Sequence, residues 1–246
     1  GNIGIPAKWF GNLSYKSIFY FMDAIEFLSE DIQKKYLSSG LNKPKNQTYI
    51  ADCSFIDFDK MYVSRKEIKI IAGAARLESQ KNILLVVEVA NILINKIMKN
   101  VKIDLLIPNN RSEIIYKKIS FYKLDEYFSI SYSKNPADNL SDSLIFLSLQ
   151  DYNNYPSQLL LEAMACGCAI VATDVGETRK LVDEKVGILT QGDARDIAMK
   201  IDFLLKNYKS SVKMGLNARK RIKNKHTIDN YGNYIKEIYK DVFLKN

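Results

Sequence analysis

One histidine, His226, and three cysteines are all that this 246-residue chain offers of the usual metal-binding and redox side chains. With a single histidine and no triad-like spacing around it, a Ser–His hydrolase is disfavoured. In NKHTIDNYG, His226 reads as a structural residue ahead of a helix. Cys53, Cys166 and Cys168 are too few and odd in number for a disulfide framework, which points to a reducing compartment. The C-x-C of Cys166 and Cys168 has no further cysteine or nearby histidine to complete a zinc set, so both read as small buried residues. No apolar run reaches the ~18 residues of a membrane-spanning helix. The opening GNIGIPAKWFGN has neither a signal-peptide pattern nor an initiator Met, so a fragment or a processed chain is expected. A G-x-G-x-x-G fingerprint and a G-x-x-x-x-G-K loop are both missing, which argues against a nicotinamide dehydrogenase and an ATPase.

What remains is an ordinary globular composition, 47% hydrophobic and 26% charged, on a chain long enough to bury a core without staples. The net charge is +8. Nucleic acid, an anionic membrane surface or an anionic substrate could each answer to it. No nucleic-acid motif accompanies the lysines, which are scattered along the C-terminal helices, so a solvated Lys-rich surface is the plain reading and nucleic acid is not expected as a partner.

Short apolar runs alternate with amphipathic stretches. Strands are expected at 67–75, 102–108, 127–133, 143–149, 168–174 and 186–190. Helices are expected at 80–100, at 111–124 with Ser112 as N-cap, at 156–167 between an opening Pro-Ser and a closing Gly, and briefly at 176–182. The last third is helical over 193–208, 210–225 and 228–243. Such alternation predicts an α/β fold, a doubly wound Rossmann-like parallel sheet, with ligands beyond the carboxyl ends of the strands. The first ~60 residues differ: a strand-like AIEFLS, a helix, and a strand over 47–56. That is too little for an independent core, and reads as the trailing edge of a larger, mostly absent domain.

Three segments could carry chemistry. GAARLESQKN (73–82) leaves a strand and enters a helix, placing Arg76 and Lys81 beside a strand end, where two fixed cations suit a diphosphate. Two solvent-exposed charges at a helix start are the plainer alternative. YPSQLLLEAMACG (155–167) opens a helix whose N–H groups near Ser157, Gln158 and Leu159 form a ready anion site. Glu162, set among Leu and Ala, is costly to bury unpaired and suits two vicinal hydroxyls; a polar stripe on the helix would explain it equally well. In SLQDYNN (148–154), Asp151 could meet the same ligand, or the segment is an ordinary turn.

These segments together resemble the retaining GT-B-fold glycosyltransferases of family 4, the group 1 glycosyl transferases, over most of 47–243. GAARLESQK is similar to the family's G-R-L-x-x-x-K, and LLLEAMACGCAIVAT to its L-L-E-A-M-A-C-G-x-P-V-V-A-T. VGILTQGDARDIAMKI, MGLNARKRI and YIKEIYKDVF look like the three segments that follow in the family. The resemblance implies the C-terminal, donor-binding half of a GT-B fold. Residues 1–62 would be a remnant of the N-terminal acceptor-side domain, 63–225 the donor nucleotide-sugar domain, and 226–246 a helix packing back toward the N-terminal part. Arg76 and Lys81 would neutralise the leaving diphosphate, so that no metal or cofactor is needed, and Glu162 would bind the ribose hydroxyls. Gly73, Ser157, Gln158, Leu159 and Asn154 would complete the donor site. The sequence departs from the pattern at the family's first acid, where counting back from Glu162 gives Asn154; Asp151, in a longer loop, is the other candidate for that place. Ala75 stands where the family has Gly.

The implied reaction transfers a sugar, with retention, from a UDP- or GDP-sugar to a saccharide or lipid-linked acceptor, as in surface polysaccharide synthesis. The expected location is cytoplasmic, with peripheral attachment to the membrane. Alone, this chain is expected to transfer poorly or not at all. A non-catalytic nucleotide-sugar-binding module and a GT-B sugar-nucleotide epimerase are the alternatives.

Overall fold

The computed structural model describes residues 22–39, 47–51, 53–73, 80–97, 101–107, 113–131 and 133–245, with backbone alone at 80–82 and 245. The chain divides into two compact units, one of residues 1–54 and 229–246, the other of 55–228. In the smaller unit, β1 (Ala24–Phe27) pairs in parallel with β2 (Gln47–Ile50). Helix α1 (Glu30–Ser38) follows β1, and its first turn is capped by Ser29 Oγ, which accepts from Ile32 N at 3.2 Å. Among the described residues its buried apolar cluster is Ile25, Phe27 and Tyr36. The strand expected over 47–56 stops at Ile50, because its partner β1 is only four residues long and the last rung is Ala51 N to Phe27 O at 2.9 Å.

The larger unit holds β3 (Glu67–Gly73), β4 (Lys102–Leu106), β5 (Phe128–Ser131), β6 (Ser143–Ser148), β7 (Ala169–Thr173) and β8 (Gly187–Thr190). They form one sheet in the order β5-β4-β3-β6-β7-β8, and every neighbouring pair is parallel. The order reverses between β3 and β6, which makes their carboxyl ends the switch point of a doubly wound sheet. Burial on both faces explains the unbroken apolar runs of β6 and β7. Period-two alternation divides their side chains. Ile70, Ala72, Ile145, Leu147, Ala169 and Val171 pack on one face with α2 (Gln80–Lys96), α3 (Glu113–Phe121) and α6 (Ala194–Lys206). Ile71, Phe146, Ile170 and Ala172 pack on the other with α4 (Ala137–Leu140) and α5 (Gln158–Ala165). The short α4 lies outside the sequence expectations.

Helix α7 (Tyr208–Lys225) crosses the edge where the strands begin. Tyr208 Oη donates to Lys66 O at 2.6 Å ahead of β3, and Asn217 Nδ2 to Lys185 O at 3.0 Å ahead of β8. Gly215 lies so close to the turn before β7 that a Cβ there would stand 2.0 Å from Gly167 O. His226 is buried, and its carbonyl accepts from Ile56 N at 2.9 Å. The last helix, α8 (Ile228–Lys245), carries the chain into the smaller unit, where Tyr231 Oη donates to Glu26 Oε2 at 3.0 Å.

Helix α5 ends in a Schellman turn. Gly167 takes φ +74°, Cys168 N donates to Ala163 O and Gly167 N to Met164 O, both at 3.0 Å. Two cations take the carbonyls that this turn leaves over. Arg219 donates to Ala165 O, and to Met61 O at 3.0 Å, while stacking on Phe58 with Cζ 4.3 Å from the ring centre. Lys66 Nζ, buried, donates to Cys166 O at 2.7 Å and to Ser141 O at 2.8 Å. Burial lowers the basicity of both Lys66 and Arg219. The neighbouring thiols are buried as well, and burial pushes Cys166 up to about 12 and Cys168 up to about 11, so both stay neutral.

Arg219→Ala strands the Ala165 and Met61 carbonyls and is expected to cost about 2–3 kcal/mol in urea unfolding. Lys220→Ala, on the exposed side of the same helix, is expected to stay within about 0.5 kcal/mol.

Candidate functional site

The crevice at the switch point is bounded by the ends of β3 and β6 and by the opening of α5. Gly73 closes β3, and a Cβ on it would stand 2.4 Å from Leu159 Cδ2 and 3.0 Å from Leu106 O. This contact brings the strand that leads to Arg76 against the first turn of α5. Arg76 itself, with Ala75 and Ser112, lies outside the described residues. Lys81 is the second residue of α2, of which the backbone is described at that position.

Ser157 is the N-cap residue of α5, in extended conformation, but its hydroxyl makes no capping hydrogen bond. The helix N-terminus therefore presents N–H groups uncapped by Ser157 toward the strand ends, with the favourable end of the dipole for an anion. Gln158 is exposed and Leu159 is half-buried against the core. The expected helix 156–167 is shorter at both ends, because Pro156 and Ser157 precede the first helical turn and the Schellman turn closes the last.

Glu162 is half-buried one turn into α5, between the buried Leu161 and Ala163. Burial pushes its carboxyl above the usual carboxylate range, and the hydrogen bond from Gln158 Nε2, at 3.3 Å, opposes that shift only in part. A carboxylate so placed gains from any ligand that brings hydroxyl donors to it.

The loop between β6 and α5 carries Asp151 and Asn154, both exposed. A shallow pocket at its base is lined by Ser148, Gln150, Asn154, Ser157 and Thr178 over a floor of Leu160 and Leu181. Asn154 thus faces the pocket, and Asp151 does not line it.

Residues that the sequence reading passed over fix this loop. Thr173, at the end of β7, accepts from Gln150 N and donates to Gln150 O, both at 2.7 Å. Asn153 Oδ1 accepts from Tyr155 N at 3.2 Å and, across the crevice wall, from Glu177 N at 3.5 Å. The turn that holds Glu177 passes through Gly176 at φ +52°, and a Cβ on Gly176 would stand 2.3 Å from Asn153 Cγ. That left-handed turn shortens the helix expected at 176–182 to a single 3-10 turn, Thr178–Lys180. The only sequence signal for Asn153 was a turn-forming Asn-Asn doublet, which says nothing of a partner 24 residues on.

Among the described residues no group of three or more His, Cys, Asp or Glu could hold a metal ion. No helix among them is long and apolar enough to cross a membrane.

The family model described as glycosyl transferases group 1 matches residues 55–221. No curated protein matches the chain. Among solved structures, a sucrose-phosphate synthase from Thermosynechococcus elongatus superposes with a TM-score of 0.79 at 18% identity, covering 97% of this chain and 63% of that one. TarM superposes with a TM-score of 0.78 at 22% identity, covering 95% and 46%. HepE of Anabaena, in complex with UDP and glucose, gives 0.77 at 13% identity, covering 94% and 67%. Likenesses at these identities establish the fold, and the chain spans less than two thirds of the length of the first two.

Glu162 holds more protons in the folded chain than in the unfolded one at pH values just above the ordinary carboxylate range, so its charge costs stability as pH rises through that window. Glu162→Gln is therefore expected to raise the unliganded melting temperature near neutral pH, with the gain vanishing below about pH 4. Melting curves across pH check this; an equal gain at low pH would overturn it.

Proposed function

This chain belongs to the glycosyl transferases group 1 family, and from that premise we propose that it forms the donor-binding part of an enzyme transferring a sugar from a nucleoside diphosphate to an acceptor, with retention. The observation that carries the reading is the opening of α5 at the switch point, its N–H groups uncapped by Ser157 and Glu162 half-buried one turn behind them. In this reading the diphosphate lies against the N–H groups of Gln158 and Leu159, with Arg76 and Lys81 supplying positive charge to the departing anion. The ribose hydroxyls donate to Glu162, and Gly73 leaves room where the strand meets the helix. Asp151 or Asn154 meets the sugar in place of the family's first acid. Positive charge from Arg76 and Lys81 makes a divalent metal unnecessary.

The UDP and glucose held by HepE support a nucleotide-sugar donor, UDP-linked in that protein. A saccharide or lipid-linked acceptor and a cytoplasmic location beside the membrane complete the proposal. Helix α7 supports the membrane side. It carries no acidic residue, and Lys209, Lys213, Lys220 and Lys223 are exposed along it with Leu216 between them. Each such lysine near an anionic bilayer is worth about 1 kcal/mol.

Titration calorimetry with UDP, GDP and their sugars tests the donor site. One nucleoside diphosphate is expected to bind with or without EDTA, and Glu162→Ala to weaken it about 100-fold or more through loss of two hydrogen bonds to a charged group. Binding by neither nucleotide, or an Arg76→Ala and Glu162→Ala pair that binds like the parent, overturns the proposal. For the membrane side, flotation with vesicles rich in anionic lipid is expected to recover the chain at low salt. Reversing Lys209, Lys213, Lys220 and Lys223 to Glu should abolish that recovery; binding to neutral vesicles alike would sink the idea.

A further inference from the structure

Two loops wall the crevice on the side away from β3: residues 149–157, after β6, and 174–178, after β7. Each is attached to its own strand, and nothing in the sheet ladder holds the tips together, since the last rung between these strands joins Ser148 and Ala172. The Thr173 hydroxyl bonds Gln150 through both N–H and carbonyl, and so pins only the root of the first loop. Three residues further on, Asn153 reaches across. Its Oδ1 takes the N–H of Tyr155 in its own loop and the N–H of Glu177 in the other. Its Cβ and Cγ lie against Gly176, within 2.4 Å of where a Cβ would stand, so the second loop can approach only because residue 176 has no side chain. The left-handed φ of Gly176 then turns the Glu177 N–H toward Asn153. Glu177 Oε1 in turn sits 3.2 Å from Lys180 Nζ in the 3-10 turn that follows, and Lys180 lies 5.8 Å from the centre of the Tyr155 ring, so a second contact links the end of the second loop to the first.

From this arrangement we infer that Asn153 is a positioning residue that locks the two loops into one wall and thereby sets the sugar end of the donor crevice. The inference rests on the donor-site reading above for the word sugar; the lock itself does not. Asp151 and Asn154 stand two residues before and one residue after Asn153, so the candidates for the sugar contact are carried on the segment that Asn153 fixes. The diphosphate and ribose ends, by contrast, are carried by α5, whose position is set from its far end by Lys66 and Arg219. Loss of the lock therefore acts on one end of the ligand and spares the other.

Hydrogen exchange on the unliganded chain reads the lock directly. Asn153→Ala is expected to speed exchange in both 150–157 and 174–178, and Asn153→Asp, which keeps the accepting oxygen, to restore both. Faster exchange in the first loop alone, or no restoration by Asp, overturns the lock. Calorimetry reads the consequence: UDP, GDP, UDP-glucose, UDP-N-acetylglucosamine and GDP-mannose are titrated against parent and variants. With Asn153→Ala, the nucleoside diphosphate is expected to keep its affinity within twofold, while the sugar-bearing donor loses about tenfold relative to it, one good hydrogen-bonded contact. Equal loss for both ligands, or for neither, overturns the sugar-end role. Failure of the parent to bind any nucleoside diphosphate overturns the donor reading and this role with it, and leaves the lock to stand or fall by exchange. Gly176→Ala supplies a second route, since its Cβ collides with Asn153: both loops are expected to exchange faster, and Asn153→Ala added to it to be less than additive. Full additivity counts against the lock.

Discussion

The larger unit is organised around the saturated carbonyl end of α5. A helix end that is buried must find donors for its last carbonyls, and this one finds all of them: two from its own Schellman turn, one from Arg219 and one from Lys66. The two cations come from segments far apart in the chain, one just before β3 and one in α7. Each also holds something else in place, Ser141 at the end of α4 or Met61 in the entering segment. The segment around Phe58 and Met61, two helices and the start of the sheet thus converge on one helix terminus. What this fixes is the other terminus, roughly 12 Å away at 1.5 Å per residue, where the crevice opens.

The sequence made the sheet legible because parallel strands covered on both faces carry unbroken apolar runs, as β6, β7 and the Ile70–Ala72 stretch of β3 do. It marked Glu162 for attention, because a carboxylate inside LLLEAMA has no cheap place to go; Gly73 entered only through the family resemblance, and its close contact with Leu159 became visible in the structure. Lys66 and Arg219 were illegible. A lysine ahead of a strand, or an arginine in ARKR, reads as a solvated charge until the distant carbonyls that desolvate it are known. The strand expected over 47–56 forms but ends early, at Ile50, for a related reason, since strand length depends on a partner, and β1 ends at Phe27.

The loop walls show the same limit at finer scale. Counting residues from Glu162 directs attention to Asn154, and acidity directs it to Asp151, while the side chain that joins the two walls is Asn153. The joining depends on a glycine in another strand's loop, and a pairing of that kind leaves no periodicity or spacing to count. Family patterns describe which residues meet a ligand; they say less about which residues hold those residues still.

The placement of the crevice on β3 and β6 has a consequence for the order in which the domain comes apart. These are the two innermost strands, with β6 buried at every residue, whereas the outermost β5 and β8 are partly exposed along their length. Openings of low free energy begin at such margins and propagate inward. The sheet can fray from β5 on one side and from β8 on the other while the two central strands, the Gly73 contact and α5 remain assembled. The floor of the crevice, where Gly73 meets Leu159, thus belongs to the part of the domain that opens last, and a ligand seated on it would be held by that part.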